Sequence, residues 1–156
     1  MTRTVFEAIN NFNALYVARL DEDQLEEWPS FFEETCLYKI TTLENYELGR
    51  PAGLVYADSK NMLIDRINSL RDANIYERHR YLHLIGFPLV RDESSDSVSA
   101  ETPFIVCRTM RSGETSVFAT GKYVDELAVG GTALKIKKRI VVCDSVSIDT
   151  LLAIPL

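Results

Sequence analysis

The second half of the chain alternates. From Tyr81 to Ser145, apolar and polar residues take turns through four long runs, 81–90, 97–110, 115–129 and 133–145. A period of two puts successive side chains on opposite faces of a strand. The links between the runs are short and turn-forming: "RDESSD" at 91–96, "RSGE" at 111–114 and Gly130-Gly131. Short links between sequential strands force an antiparallel arrangement. In the last run, Leu134, Ile136, Ile140 and Val142 are predicted to face a core, with Lys135, Lys137 and Arg139 on the solvated side.

The first half is helical by pattern. Val5, Ile9, Phe12, Tyr16 and Leu20 fall at helical spacing, and Thr4 with Glu7 matches a capping box. Asp23 and Glu26 predict the start of a shorter helix that Pro29 interrupts. Cys36–Thr42 alternates as a strand, 43–58 carries the Gly and Pro of a loop, and Leu63, Ile67 and Leu70 form the apolar stripe of a further helix capped by Asp58 or Ser59. Helices followed by long strands predict an α+β fold: one domain over 1–156, with a curved antiparallel sheet wrapped on an N-terminal helical layer.

Composition narrows the function classes. The net charge is −6, which disfavours nucleic acid or an anionic membrane as partner. No run is long enough to span a bilayer and no signal peptide is read at the N-terminus. Cys36, Cys107 and Cys143 are scattered and form no CxxC pair; they predict free thiols in a reducing, cytoplasmic setting. No phosphate-cradling glycine loop or nucleophile elbow is present.

Both histidines lie in "YERHRYLHLIGF", four residues apart. On a helix His79 and His83 would share one face and chelate a metal. On the strand that the alternation predicts, they stand about 13 Å apart and cannot hold one ion. His83 is therefore expected half-buried and hydrogen-bonded, with Arg78, His79 and Arg80 lining a polar surface or subunit contact. The apolar tail Leu151, Leu152, Ile154 and Leu156 either contacts a partner or closes the chain's own core. Trp28, Phe31 and Phe32 are expected in the core, "KIKKR" (135–139) on a solvated face, and Asp65 in ion pairs with Arg66, Arg78 or Arg80.

The succession "ALYVARLDEDQLEEWPSFFEETCLYKI", "GLVYADSKNMLIDRINSLR", "ERHRYLHLIG", "SGETSVFATGKYVDEL" and "IKKRIVVCDS…LLAIPL" resembles the small (beta) subunits of Rieske-type aromatic-ring-hydroxylating dioxygenases, over nearly the whole chain. Within that family it looks most like those of aromatic-acid hydroxylases, terephthalate ahead of salicylate. Leu82 stands where an Arg-x-Arg-His pattern would place its second arginine. The resemblance implies a cone-shaped fold of the nuclear-transport-factor-2-like or cystatin-like kind. It implies an α3β3 hexamer in the cytoplasm, containing large (alpha) subunits and other beta subunits and receiving NADH electrons through a reductase. The [2Fe-2S] cluster and mononuclear Fe(II) would sit in the large subunit, with no catalytic, cofactor-binding or metal residue in this chain. A competing expectation is a stand-alone cone-fold dehydratase or isomerase, with His83 and Asp58 or Asp65 as an acid–base pair.

Overall fold

The computed structural model describes residues 4–51, 53–73, 78–145 and 154–156. Helix α1 (Val5–Asp21) begins with the predicted capping box: Thr4 Oγ1 accepts from the Glu7 amide and the Glu7 carboxylate accepts from the Thr4 amide. A 3-10 helix over Leu25–Phe31, with Pro29 inside it, leads directly into β1 (Phe32–Thr42). The Asp23 cap is not formed. Gln24 occupies the cap position, Asp23 adopts φ 60°, and its carboxylate instead takes Arg71 at 3.0 Å. The loop expected over 43–58 holds a short helix, α2 (Leu43–Glu47), and an edge strand, β2 (Val55–Ala57). Helix α3 (Lys60–Ala73) buries Leu63 and Ile67, and Ser59 Oγ accepts from the Met62 amide near its start.

The remaining strands are β3 (His79–Ile85), β4 (Leu89–Glu93), β5 (Ser97–Met110), β6 (Thr115–Ala128) and β7 (Lys135–Cys143). The run 81–90 divides between β3 and β4 at Gly86–Pro88, and both pieces pair with β5. The sheet order is β2-β1-β7-β6-β5-β3, with β4 continuing the β3 flank. This is the expected α+β cone: a curved, unclosed sheet with the helices on its concave side. One pairing departs from the all-antiparallel expectation. Strands β1 and β7 run parallel. Short loops dictate direction only between consecutive strands, and β1 meets β7 from across the whole chain.

The core is one continuous cluster. It includes Ile9, Tyr16 and Leu20 of α1, Trp28, Phe32 and Tyr38, and Phe104, Tyr123 and Leu127 of the sheet. Several of its rings meet edge-on, such as Trp28 on Tyr38 at 5.1 Å, while Phe104 and Tyr123 stack.

The register of β7 overturns one expectation. A bulge lies between the pairs Glu126–Lys138 and Leu127–Ile136, so Lys137 is the extra residue. An inserted residue reverses which side chains face inward beyond it. Ile136 points inward before the bulge, and Arg139, Val141 and Cys143 point inward after it. Arg139, expected on the solvated face, is fully buried. Ile140 and Val142 lie on the opposite face and are buried there too, with α2 packed against β7.

At Gly121 the backbone of β7 leaves no room for a side chain on β6. A Cβ at this position would lie 1.9 Å from the Val142 carbonyl oxygen, which is backbone and cannot swing away. Gly121→Ala is expected to lower unfolding stability by about 1–3 kcal/mol in urea titration. Gly131→Ala, where the nearest atom would be 3.6 Å away, is the control and should change stability by less than about 0.5 kcal/mol.

Candidate functional site

The interior of the cone is the place where an acid–base pair would need room, and it is filled. Arg139 donates through Nε and Nη2 to the two carboxylate oxygens of Asp125, both at 2.8 Å, and through Nη2 to Asn13 Oδ1 at 2.6 Å. Asn13 Nδ2 donates on to Thr102. The rings of Tyr16 and Tyr123 each lie 4.2 Å from the guanidinium carbon. Arg139, Asn13 and Thr102 are fully buried and Asp125 nearly so. Burial alone would lower the Arg139 pKa, but the adjoining Asp125 carboxylate outweighs it and holds the guanidinium protonated above its ordinary range. Burial raises Tyr16, Tyr38 and Tyr123 above the usual tyrosine value, so these phenols stay neutral.

The C-terminal tail joins this interior. Tyr16 and Tyr38 both donate to the Leu156 carbonyl oxygen, at 3.1 and 2.9 Å, and the Leu156 amide donates back to Tyr38. Trp28 Nε1 donates to Tyr16 Oη. Ile154 and Leu156 are buried in the chain's own core, leaving little of either side chain for a partner. Leu151 and Leu152 lie outside the described residues.

Strand β3 carries both histidines, as the alternation required. Their strand spacing keeps the rings apart. His83 is buried rather than half-buried, with Nδ1 2.6 Å from Asp21 Oδ1 and its amide donating to Asp21 Oδ2 at 2.9 Å. The partner is thus the last residue of α1. Asp58 and Asp65, the carboxylates expected to serve His83, are exposed. Asp21 satisfies an amide on the open side of edge strand β3 and so pins α1 to it. Among the described residues no group of three His, Cys, Asp or Glu side chains is placed to hold a metal ion.

Arg78 and Arg80 are exposed beside a cleft of about 600 Å³ at one end of the sheet. Its walls include Asp21, His79, Arg71 and Arg111, and its floor Leu20, Tyr81, Met110 and Ile154. The outer sheet face beyond it is apolar. Leu82, Leu84, Ile105 and Val117 are 56, 55, 42 and 64% exposed, and the strand register sets them side by side through Cys107. Exposed apolar patches are a common feature of contact surfaces.

The missed residues had readable signals. Asn13, Val17 and Asp21 extend the helical stripe of Ile9, and Asp125 sits between Tyr123 and Leu127 in an alternating run. Polar residues on apolar stripes predict buried partners. Arg139 gave no such signal, because the bulge that turns it inward follows from pairing with β6.

Residues 17–150 match the family model described as ring hydroxylating beta subunit. The chain is 49% identical over 145 residues to terephthalate 1,2-dioxygenase, terminal oxygenase component subunit beta 1, of Comamonas sp., covering 93% of this chain and 94% of that protein. It is 38% identical to the anthranilate 1,2-dioxygenase small subunit of Burkholderia cepacia, covering 90% and 88%. A crystal structure from Novosphingobium aromaticivorans, described as a beta subunit of an aromatic-ring-hydroxylating dioxygenase, superposes with TM-score 0.90 at 42% identity, covering 97% of this chain and 96% of that one.

Removing one partner of the buried pair should be costly. Asp125→Ala leaves Arg139 uncompensated and is expected to lose about 3–5 kcal/mol in chemical denaturation. The double replacement Asp125→Leu with Arg139→Met should recover most of that loss, since no buried charge remains.

Proposed function

The chain belongs to the ring-hydroxylating beta subunit family, and we propose that it is the non-catalytic small subunit of a Rieske non-heme iron dioxygenase that hydroxylates an aromatic carboxylic acid. Terephthalate ranks first and salicylate second. The names of the Comamonas and Burkholderia relatives, both dioxygenases of aromatic carboxylic acids, support the substrate class. The assembly proposed is an α3β3 hexamer in the cytoplasm, supplied with NADH electrons by a reductase. We read 1–156 as one domain, in keeping with its single continuous core.

Among the described residues no set of side chains fits an iron site. Both histidines lie on β3, and His83 Nδ1 is held by Asp21. This agrees with a reading in which the large subunit holds the cluster and the mononuclear iron and this chain carries no chemical step. Its contribution is geometric. A trimer of large subunits must keep redox centres in neighbouring subunits at fixed separation, and a rigid wedge docked across them would hold that spacing.

The observation that carries this reading is the contrast between the filled interior and the bare outer face. Arg139, Asp125 and the tyrosines occupy the space that a substrate would need, while Leu82, Leu84, Ile105 and Val117 are left to water. Arg78, His79 and Arg80, at the end of that face, are interface candidates alongside them.

Co-expression of the large subunit with and without this chain tests the role. Loss of trimer integrity and activity without it is expected; full activity and an intact trimer without it would overturn the reading. Leu82→Ser with Val117→Ser should weaken co-purification of the large subunit by about tenfold or more, without changing the far-ultraviolet circular dichroism of the chain.

A further inference from the structure

Three arginines meet at the cleft, and none is neutralised. Arg78, Arg80 and Arg111 line it, and none forms an ion pair or hydrogen bond among the described residues. The carboxylates on the same walls are already committed: Asp21 to His83, Glu22 to Arg19 and Asp23 to Arg71. In a chain of net charge −6, the cleft holds a local surplus of positive charge.

The opposite end of the sheet has the reverse character. Strands β4 and β5 are joined through a hairpin tip at 94–96. Asp92, Glu93 and Asp96 stand there, all exposed. Asp92 and Glu93 have no ion pair among the described residues, and the Asp96 carboxylate accepts from the Ser94 hydroxyl. The tip is stiff, because Ser94 Oγ accepts the Ser97 amide and the Ser94 amide donates to the Ser97 carbonyl. Strand β5 runs from the tip to the cleft, where Thr109 and Met110 form part of the wall. Its 14 residues separate the two ends by about 45 Å, too far for one chain to join its own ends.

We propose that the arginine cleft of one copy of this chain takes the acidic β4–β5 tip of a second copy. Three guanidiniums face three carboxylates, and a heterologous contact of this kind repeats head to tail until it closes into a ring. The apolar floor of Leu20, Tyr81, Met110 and Ile154 lowers the local dielectric around the charges that enter. The inference rests on the reading of the chain as a subunit of an assembly that contains further copies of itself. It assigns the outer face and the cleft to different partners.

Analytical ultracentrifugation of the full chain tests the contact. The wild type should self-associate at low salt and weaken steeply as ionic strength rises, because facing charges are screened over about 8–10 Å. Reversing the cleft (R78E, R80E and R111E) or the tip (D92K, E93K and D96K) should each weaken self-association by about tenfold or more. Carrying all six reversals in one chain should restore it, which a merely unfolded variant cannot do. A monomeric wild type at every concentration would overturn the proposal, as would failure of the six-fold variant to recover. If cleft reversal leaves self-association intact and abolishes large-subunit binding, the occupant belongs to the large subunit and the proposal fails. Loss of large-subunit binding by the wild type itself would count against the proposed function alone.

Discussion

A buried bidentate ion pair sits at the centre of this protein. Arg139 of β7 grips Asp125 of β6, reaches Asn13 of α1, and through Asn13 is tied to Thr102 of β5. Helix and sheet are therefore fastened by directional bonds as well as by apolar contact. Such a network has little tolerance for displacement, since any member pulled away leaves a charged or polar group buried without a partner. Two tyrosine rings close over the guanidinium, and one of them, Tyr16, shares the Leu156 carbonyl with Tyr38. The end of the chain is thereby locked to the same centre.

This interior explains why a fold well suited to enclosing a substrate is here read as a subunit rather than a reaction vessel. Trp28, Phe104, Tyr16 and Tyr123 fill the concave side around the ion pair. The acid–base-like couple of His83 with Asp21 commits both carboxylate oxygens to β3, one to the ring and one to the amide. Its geometry anchors the end of α1 to an edge strand. What the molecule offers outward is surface: an apolar sheet face, a cationic cleft and an acidic tip, on a body held rigid from inside.

The main features of the fold were legible in the residues. Alternation after Tyr81 predicted the long strands, the capping box at Thr4 marked the start of α1, and the stripe of Leu63 and Ile67 marked α3. The family resemblance rested on motifs spread along the chain, and the family match agrees with it. Less legible were short elements such as β2 and α2, whose formation depends on β1 and β7 lying alongside. The use of the tail was open in sequence because Ile154 and Leu156 are apolar in a core or at a contact alike; the hydroxyls of Tyr16 and Tyr38 hold Leu156 inside.

The sequence by itself determined the class of fold, the strand character of the histidine segment and the lack of a metal-chelating spacing, because these depend on local periodicity. Tertiary structure alone decided that Arg139 turns inward, that β1 and β7 run parallel and that Asp21 rather than Asp58 or Asp65 meets His83. The physical reason is the same for each. A bulge, a strand neighbour and a helix end are set by how distant segments pair and pack, and a one-residue slip in that pairing exchanges the inside of a strand for its outside.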